Sequence, residues 1–349
     1  MSTNVAIGDP VPEGQLPEGQ LPEPIDGVNP FGAPGEWLRC ALHTHSTVSD
    51  GTLSPEYLVQ SYEEQGFDVV AITDHWRLTK VPSTDRVLTI PAAELGWDIA
   101  HPHYPRQSAE FLVYGIDHIP DDPGGDRTNW YTNDEENYEV RTFPDLTAGV
   151  RWAETMGAVV YVAHPYWNQL PLDDLLAQEG FAGIEVFNGS CHEETGRGDS
   201  SVWWDALLAR GRRTFGIGTD DQHYPLFELG TGWTMVRTPE RSQKAVLAAL
   251  RDGMSYFSHG PEIHHIQVVD GAVEVECSSA RSVLLQGEEE LGLAITVGRG
   301  GRRQGTITST DAGGLITSVT FDTSSYAPSR YRRVTVVDAQ GRRAWSNPL

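Results

Sequence analysis

"SPEYLVQSYEEQGFDVVAIT", residues 54–73, decides the fold class. Ser54 is of the type that caps a helix, Pro55 suits the first helical position, Tyr57, Leu58 and Tyr62 would share one side, and Gly66 stops the helix. FDVVAIT follows at once, a nearly continuous apolar run of strand length. The alternation recurs downstream. VLTIPAAEL, FLVYGI, AVVYVA, GIEVF and TFGIG read as strands, while PDLTAGVRWAETMG, LDDLLAQEG and SSVWWDALLARG read as helices. Strands alternating with helices predict a parallel α/β arrangement, with enough strands for a barrel-like closure.

Three parts follow along the chain of 349 residues. Residues 1–35 repeat PEGQL, are rich in Pro and Gly, and bury little; they read as an arm. Residues 36–260 carry the α/β pattern, interrupted by a polar, turn-rich excursion over 120–143. Residues 261–349 alternate apolar and polar positions between DG, AG and QG turns, which predicts a small antiparallel β domain.

Composition narrows the function. A formal charge of −24 and a pI near 4.7 argue against a nucleic-acid scaffold or an anionic membrane as partner. The odd, scattered Cys40, Cys191 and Cys277 provide neither a disulfide framework nor a zinc knuckle. With no secretory pattern at residues 1–15 and no long apolar run, a cytoplasmic location is expected.

The chemically informative residues sit where apolar runs end or along them. His43 and His45 follow EWLRCAL, Asp74 and His75 follow FDVVAIT, Glu94 lies in TIPAAEL, His164 follows AVVYVA, and Asp220, Asp221 and His223 follow TFGIG. In a parallel barrel the carboxyl ends of the strands open on one face, so these residues would meet in one mouth. Imidazole and carboxylate without thiolate suit Zn, Mn or Fe(II), and His43 and His45, two apart, point the same way. A carboxylate such as Glu94 could bridge two ions.

Taken in order, HTHSTVSDG (43–51), TDH (73–75), AEL (93–95), AHP (163–165) and TDDQH (219–223) resemble the motif series of the PHP (polymerase and histidinol phosphatase) superfamily. IEVFN and ALRDGMSYFSHGP look like segments that accompany those motifs, and RVTVVDAQGRRAWSNP like the close of a β-rich extension. The resemblance implies a distorted (β/α)7 barrel of PHP type followed by a small antiparallel β domain, and two or three divalent ions. It places His43, His45, Glu94 and Asp221 on one ion, Glu94 and His164 on a second, and Asp50, His75 and His223 on a third. Glu94, Asp221 and His223 are the catalytic candidates among them. The implied reaction is hydrolysis of a small phosphate monoester, or a diester, by a metal-bound hydroxide.

One position departs from the family pattern. Where many members have a further histidine just before the equivalent of FLVYG, this chain has Ser108, Ala109 and Glu110; Glu110, His101 or His103 could stand in. Three divalent ions against Asp50, Glu94 and Asp221 would leave the pocket at about +3, which suits a phosphate in an acidic protein. Arg77, Arg106, Arg197 and His192 are candidates for the substrate side. Asp74 and Asp220 read as residues that orient ligands. Cys191 beside His192 reads as packing rather than a nucleophile, since sequence neighbours rarely form such pairs. His259, His264 and His265 read as structural or solvated, and Trp203 and Trp204 as packing. The competing readings are a binding or accessory protein with a decayed second site, and a hydrolase of carboxyl esters or amides.

Overall fold

A computed structural model describes residues 29–99, 107–120, 126–129, 139–143, 145–288, 291–298, 305–324 and 329–349. The N-terminal repeat, His101, His103, Arg106 and most of the 120–143 excursion lie outside the described residues. The first half supplies β1 Glu36–Ala41, α1 Pro55–Glu64, β2 Val69–Ile72, β3 Leu88–Ile99, β4 Gln107–Tyr114, β5 Asp126–Asn129, β6 Glu139–Phe143, α2 Leu146–Glu154 and β7 Val159–Val162. Then come α3 Leu172–Leu176, β8 Gly183–Asn188, α4 Gly189–Thr195, α5 Ser201–Leu208, β9 Phe215–Thr219, β10 Trp233–Thr238, α6 Gln243–Asp252 and β11 Ser255–Ser258. The remainder is strand: β12 Ile263–Val269, β13 Ala272–Ala280, β14 Ser282–Gly287, β15 Gly292–Thr296, β16 Gly305–Thr310, β17 Ile316–Asp322, β18 Arg332–Val337 and β19 Arg343–Ser346.

The opening stretch folds as its spacing predicts. The Ser54 hydroxyl accepts from the Tyr57 amide, Pro55 opens α1, and Leu58, Val59 and Tyr62 are buried under it. Tyr57 departs from the expectation and is 55% exposed. It lies about 100° round the helix from Leu58, which turns it off the buried stripe.

These elements build a large α/β sheet and a second, small antiparallel one. The large sheet runs β15-β14-β18-β19-β11-β10-β1-β2-β3-β4-β7-β8-β9, and β6 adds to the far end of β3. It is mixed rather than uniformly parallel. β1, β2 and β3 are parallel, as are β7, β8 and β9, but β4 runs antiparallel to both its neighbours. The long β3 pairs along eight residues with β4, the next strand in the chain, in the antiparallel sense.

β9, one end of the path, folds back on the middle. The Gly218 amide donates to Thr234 Oγ1 of β10, whose hydroxyl donates to Gly218 O. A Cβ on Gly216 would sit 2.6 Å from the Phe257 ring of β11, so only glycine permits this approach. Among the described residues no backbone ladder joins β9 to β10.

The C-terminal strands divide between two layers. β12-β13-β17-β16 form the small sheet, while β14, β15, β18 and β19 extend the large one through β19 and β11. Ile266, Val275 and Phe321 of the small sheet share a core with Val283, Val334 and Val336 of the large one. The alternation read from 261 onward is therefore that of a two-layer packing, clearest in β13 and β15, where buried and less buried residues alternate, while β16 has no buried residue. Among the described residues, no helix is long and apolar enough to cross a membrane.

Candidate metal centre

Backbone pairing continues past the strand ends and brings the polar segments into register. The Asp221 amide donates to His43 O, His45 to Gln222 O, Thr73 to Thr44 O, and Glu94 to Thr73 O. His75 and Glu94 form a further isolated bridge. Segments 43–45, 73–75, 94 and 220–222 thus lie side by side, although only Glu94 is inside a regular strand. It sits just beyond Pro91, the last β3 residue registered with β2, so its carboxylate projects where β2 has ended.

Four donor atoms converge on one point. His43 Nε2 is 3.0 Å from both Glu94 Oε2 and Asp221 Oδ1, and His45 Nε2 is 3.2 Å from both. Donors about 2.0–2.2 Å from a shared ion lie roughly 3.0–3.5 Å apart, so the spacing is that of a coordination shell. His45 Nε2, Glu94 Oε1 and Asp221 Oδ1 are buried and make no hydrogen bond. Buried polar atoms in that condition are costly unless a cation completes them, and the residues present fit one.

Two further groups flank this one. Asp50 lies 3.5 Å through Oδ1 from His45 Nδ1 and His223 Nε2, and 3.5 Å through Oδ2 from His75 Nε2. On the other side, His164 Nε2 lies 3.3 Å from Glu94 Oε1 and 3.7 Å from Glu110 Oε2. Glu94 is common to the central and distal groups, and His45 presents one ring nitrogen to the central group and the other to the Asp50 group.

The outer nitrogens of the histidines are tied down. His43 Nδ1 meets Glu185 Oε1 at 3.0 Å, His164 Nδ1 meets Asn168 Oδ1 at 3.2 Å, and His223 Nδ1 meets Asp221 O at 2.9 Å. Each acceptor calls for the proton on the outer nitrogen and leaves the inner lone pair facing the cluster, as metal-binding imidazoles require. Asp74 accepts from the Ser46 amide and hydroxyl at 2.7 Å and from the Ser49 hydroxyl at 2.8 Å, fixing the 46–50 loop. Glu228 accepts from the amides of His223 and Tyr224 and does the same for the loop after β9.

The electrostatics express crowded carboxylates. Burial opposes charge on His164, but Glu94 and Glu110 outweigh it and push its pKa up to about 10; the same contest, with Asp50 and Asp221 winning, takes His223 to about 9. Burial raises Asp220, one layer back, to about 7. Trp76, His164 and Asp221 adopt left-handed backbone, with φ of 50°, 22° and 52°. Non-glycine residues held there carry strain of roughly 1–3 kcal/mol each, a feature concentrated at working sites.

The sequence motif in the first part of this cluster has a family. Residues 41–113 match the family model of the PHP domain. That stretch, about a fifth of the chain, is similar to a PHP domain. The match covers HTH, Asp50, TDH, Glu94 and Glu110, while AHP and TDDQH lie beyond it. A comparison with curated proteins finds no match. Among solved structures, a two-domain protein from Bacteroides vulgatus containing a predicted PHP-like metal-dependent phosphoesterase is 15% identical, with 95% of this chain and 98% of that one covered and a TM-score of 0.44. A candidate metal-dependent phosphoesterase from Bifidobacterium adolescentis is 17% identical over 53% of this chain and 87% of its own, with a TM-score of 0.37. An amidohydrolase from Chromobacterium violaceum, with bound sulfate and no metal, is 18% identical over 53% and 88%, with a TM-score of 0.36. All three scores lie under 0.5.

The cluster draws in some sequence candidates and leaves others out. His43, His45, Asp50, His75, Glu94, Glu110, His164, Asp221 and His223 all stand in converging groups. Arg77, two residues past His75, turns its guanidinium to Trp76 O, and Arg197 is half-buried after α4; neither meets a cluster carboxylate among the described residues. His192 is exposed and lies 5.6 Å, ring to ring, from Phe187. Cys191 is buried, and burial with the acidic cluster drives its thiol far up, which is inert packing rather than a nucleophile. His259 stacks on Phe187 at 4.2 Å and accepts from the Arg343 amide; Trp204 is wholly buried and Trp203 stacks on Tyr166.

Glu185 is the residue that motif reading missed. Besides His43, it accepts from the His164 amide at 2.8 Å, from Asn188 Nδ2 at 2.9 Å and from the Thr219 hydroxyl. These bonds occupy its oxygens, so it orients His43 and His164. Counting Glu110 and Glu185 lowers the net charge with three divalent ions from about +3 to about +1.

Proposed function

We propose that this chain is a metal-dependent phosphoesterase that hydrolyses a small phosphate monoester, or a diester, on a distorted (β/α)7 barrel of PHP type. The observation that carries the reading is the convergence of His43 Nε2, His45 Nε2, Glu94 Oε2 and Asp221 Oδ1 at 3.0–3.2 Å. Domain limits of 1–35, 36–260 and 261–349, a cytoplasmic location, and the absence of nucleic-acid or membrane partners belong to the same proposal.

His43, His45, Glu94 and Asp221 would hold one ion; Glu94, Glu110 and His164 a second; and Asp50, His75 and His223 a third, of Zn, Mn or Fe. Divalent ions there would acidify water and neutralise charge building on phosphoryl oxygens. The chain's own residues do the rest. Glu185, Asn168 and the Asp221 carbonyl hold the imidazoles in the binding tautomer, and the Asp74 and Glu228 carboxylates fix the two loops that flank the mouth. Asp50 and His223, 29% and 20% exposed, form the side from which an ester would enter. Arg77, His192 and Arg197 remain the candidates for contacts to the rest of the substrate.

The test joins composition to turnover. Protein purified without chelator or histidine tag should carry two or three equivalents of divalent metal by elemental mass spectrometry. A chromogenic panel of phosphate monoester, diester and carboxyl ester should show turnover of a phosphate member. Asp221→Ala and His45→Ala should each lose metal and at least a hundredfold in rate with the far-UV circular dichroism retained. Turnover of the carboxyl ester alone would transfer the reading to that hydrolase class, and a metal-free, inactive protein would favour a binding role.

A further inference from the structure

The three donor groups are not chemically alike. Around Asp50 stand two imidazoles, those of His75 and His223, with one carboxylate; His45, whose Nε2 faces the central group, turns only its Nδ1 to Asp50 at 3.5 Å. In the central group, two imidazoles meet two carboxylates, Glu94 and Asp221. At the far end His164 meets the carboxylates of Glu94 and Glu110 at 3.3 and 3.7 Å, and His75, whose Nε2 faces Asp50, adds only its Nδ1 at 3.4 Å from Glu94 Oε2. Cys191 is in none of these groups among the described residues, so no sulfur alters the series.

Glu110 is built into that end. It is 7% exposed, on β4, and registered with Gly96 of β3. Glu94 pairs with Leu112 in the same ladder, so Glu94 and Glu110 lie diagonally on one face of the β3–β4 pair. The Glu110 side chain packs directly over Gly96, at van der Waals distance from where a Cβ would stand. The Glu110 carbonyl accepts from the Ala163 amide at 2.8 Å, which locks β4 to the residue just before His164. Glu94 Oε1, facing this end, is buried without a hydrogen bond.

Resting on the metal-centre reading above, we propose that the centre is graded in donor hardness, and that the Glu94–Glu110–His164 end takes an oxygen-preferring ion such as Mn²⁺ while the imidazole-rich positions take Zn²⁺. Borderline ions gain most from imidazole, and hard ions from carboxylate. The preference for Zn²⁺ over Mn²⁺ is therefore smallest where Glu110 stands, and a mixed supply loads the centre with two elements.

The experiment uses the full chain, stripped with chelator, reloaded with two equivalents of Zn²⁺ and titrated with Mn²⁺ by calorimetry and by electron paramagnetic resonance of the bound ion. Wild type should bind one Mn²⁺ beside retained zinc. Glu110→Gln, nearly isosteric, should weaken Mn²⁺ at least tenfold and leave the two zinc equivalents in place. Glu110→His should bind a third Zn²⁺ tightly and exclude Mn²⁺. Manganese affinity in Glu110→Gln within twofold of wild type would overturn the graded centre while leaving the phosphoesterase reading standing. Failure of wild type to bind either ion would overturn both.

Discussion

Glu185 shows how much of a site can hang on one side chain. It lies in β8, whose six residues are all buried, and a carboxylate there is stable only with several donors aimed at it. Those donors come from three other segments, at 43, 164 and 219, and two of the segments carry cluster ligands. Glu185→Gln keeps the volume but turns an amide N–H toward groups that already donate. It should lower metal affinity about 10–100-fold with the fold retained, the usual scale for partners that orient ligands; unchanged binding in a metal titration would remove Glu185 from the site. Most of the ligands were legible because they close or interrupt an apolar run, as His164 does AVVYVA, whereas Asp50 and Glu110 came only from the family resemblance. Glu185 was not, because GIEVF reads as one more strand and only its charge amid apolar neighbours signals a buried partner. The left-handed backbone of His164 and Asp221 has no sequence mark either, since neither is glycine.

At the scale of elements, local chemistry was readable and pairing was not. Ser54, Pro55 and Gly66 bracket α1 as their intrinsic preferences dictate. Ser54→Ala should cost about 1 kcal/mol of stability by chemical denaturation, the usual worth of a cap. Metal affinity should stay within experimental error of wild type, because α1 supplies no cluster residue; a parallel loss of metal would show that the helix positions the 43–50 loop. The direction of β4 escaped the sequence for a physical reason. Its apolar pattern suits a buried strand of either polarity, and polarity is settled by β3 running to Ile99 and returning. That reversal sets Glu110 opposite Gly96, a placement an uninterrupted series of parallel strands would not produce.

For the whole molecule, the β-rich end is part of the scaffold that supports the cluster. The sequence marked a change of texture after 260, but not that half of these strands would extend the large sheet. Asn347 makes the join: the Gly216 amide donates to its Oδ1 at 2.7 Å, and its Nδ2 donates to Ser255 O at 3.1 Å and to Gly216 O at 3.3 Å. It holds β9 to β11 where Gly216 has no side chain to do so. Asn347→Ala would leave buried backbone groups unpaired, at about 1–3 kcal/mol each. The thermal midpoint should fall by several degrees, in the metal-loaded and stripped forms alike. An unchanged midpoint in calorimetry would mean that the stacked rings of Phe257 and Trp345, 5.2 Å apart, hold the strands unaided.

Asn347 and Gly216 are 131 residues apart along the chain. Contacts of such reach form late, because a long loop must close before they repay its lost entropy. β9 delivers Asp221, so the central donor set is finished by an event remote from the motifs that announce it. On the proposed reading, an ion offered early in refolding would find His43, His45 and Glu94 without their fourth partner, and the rate of metal uptake should follow the closing of the sheet; uptake faster than the recovery of tertiary structure in stopped-flow refolding would contradict it.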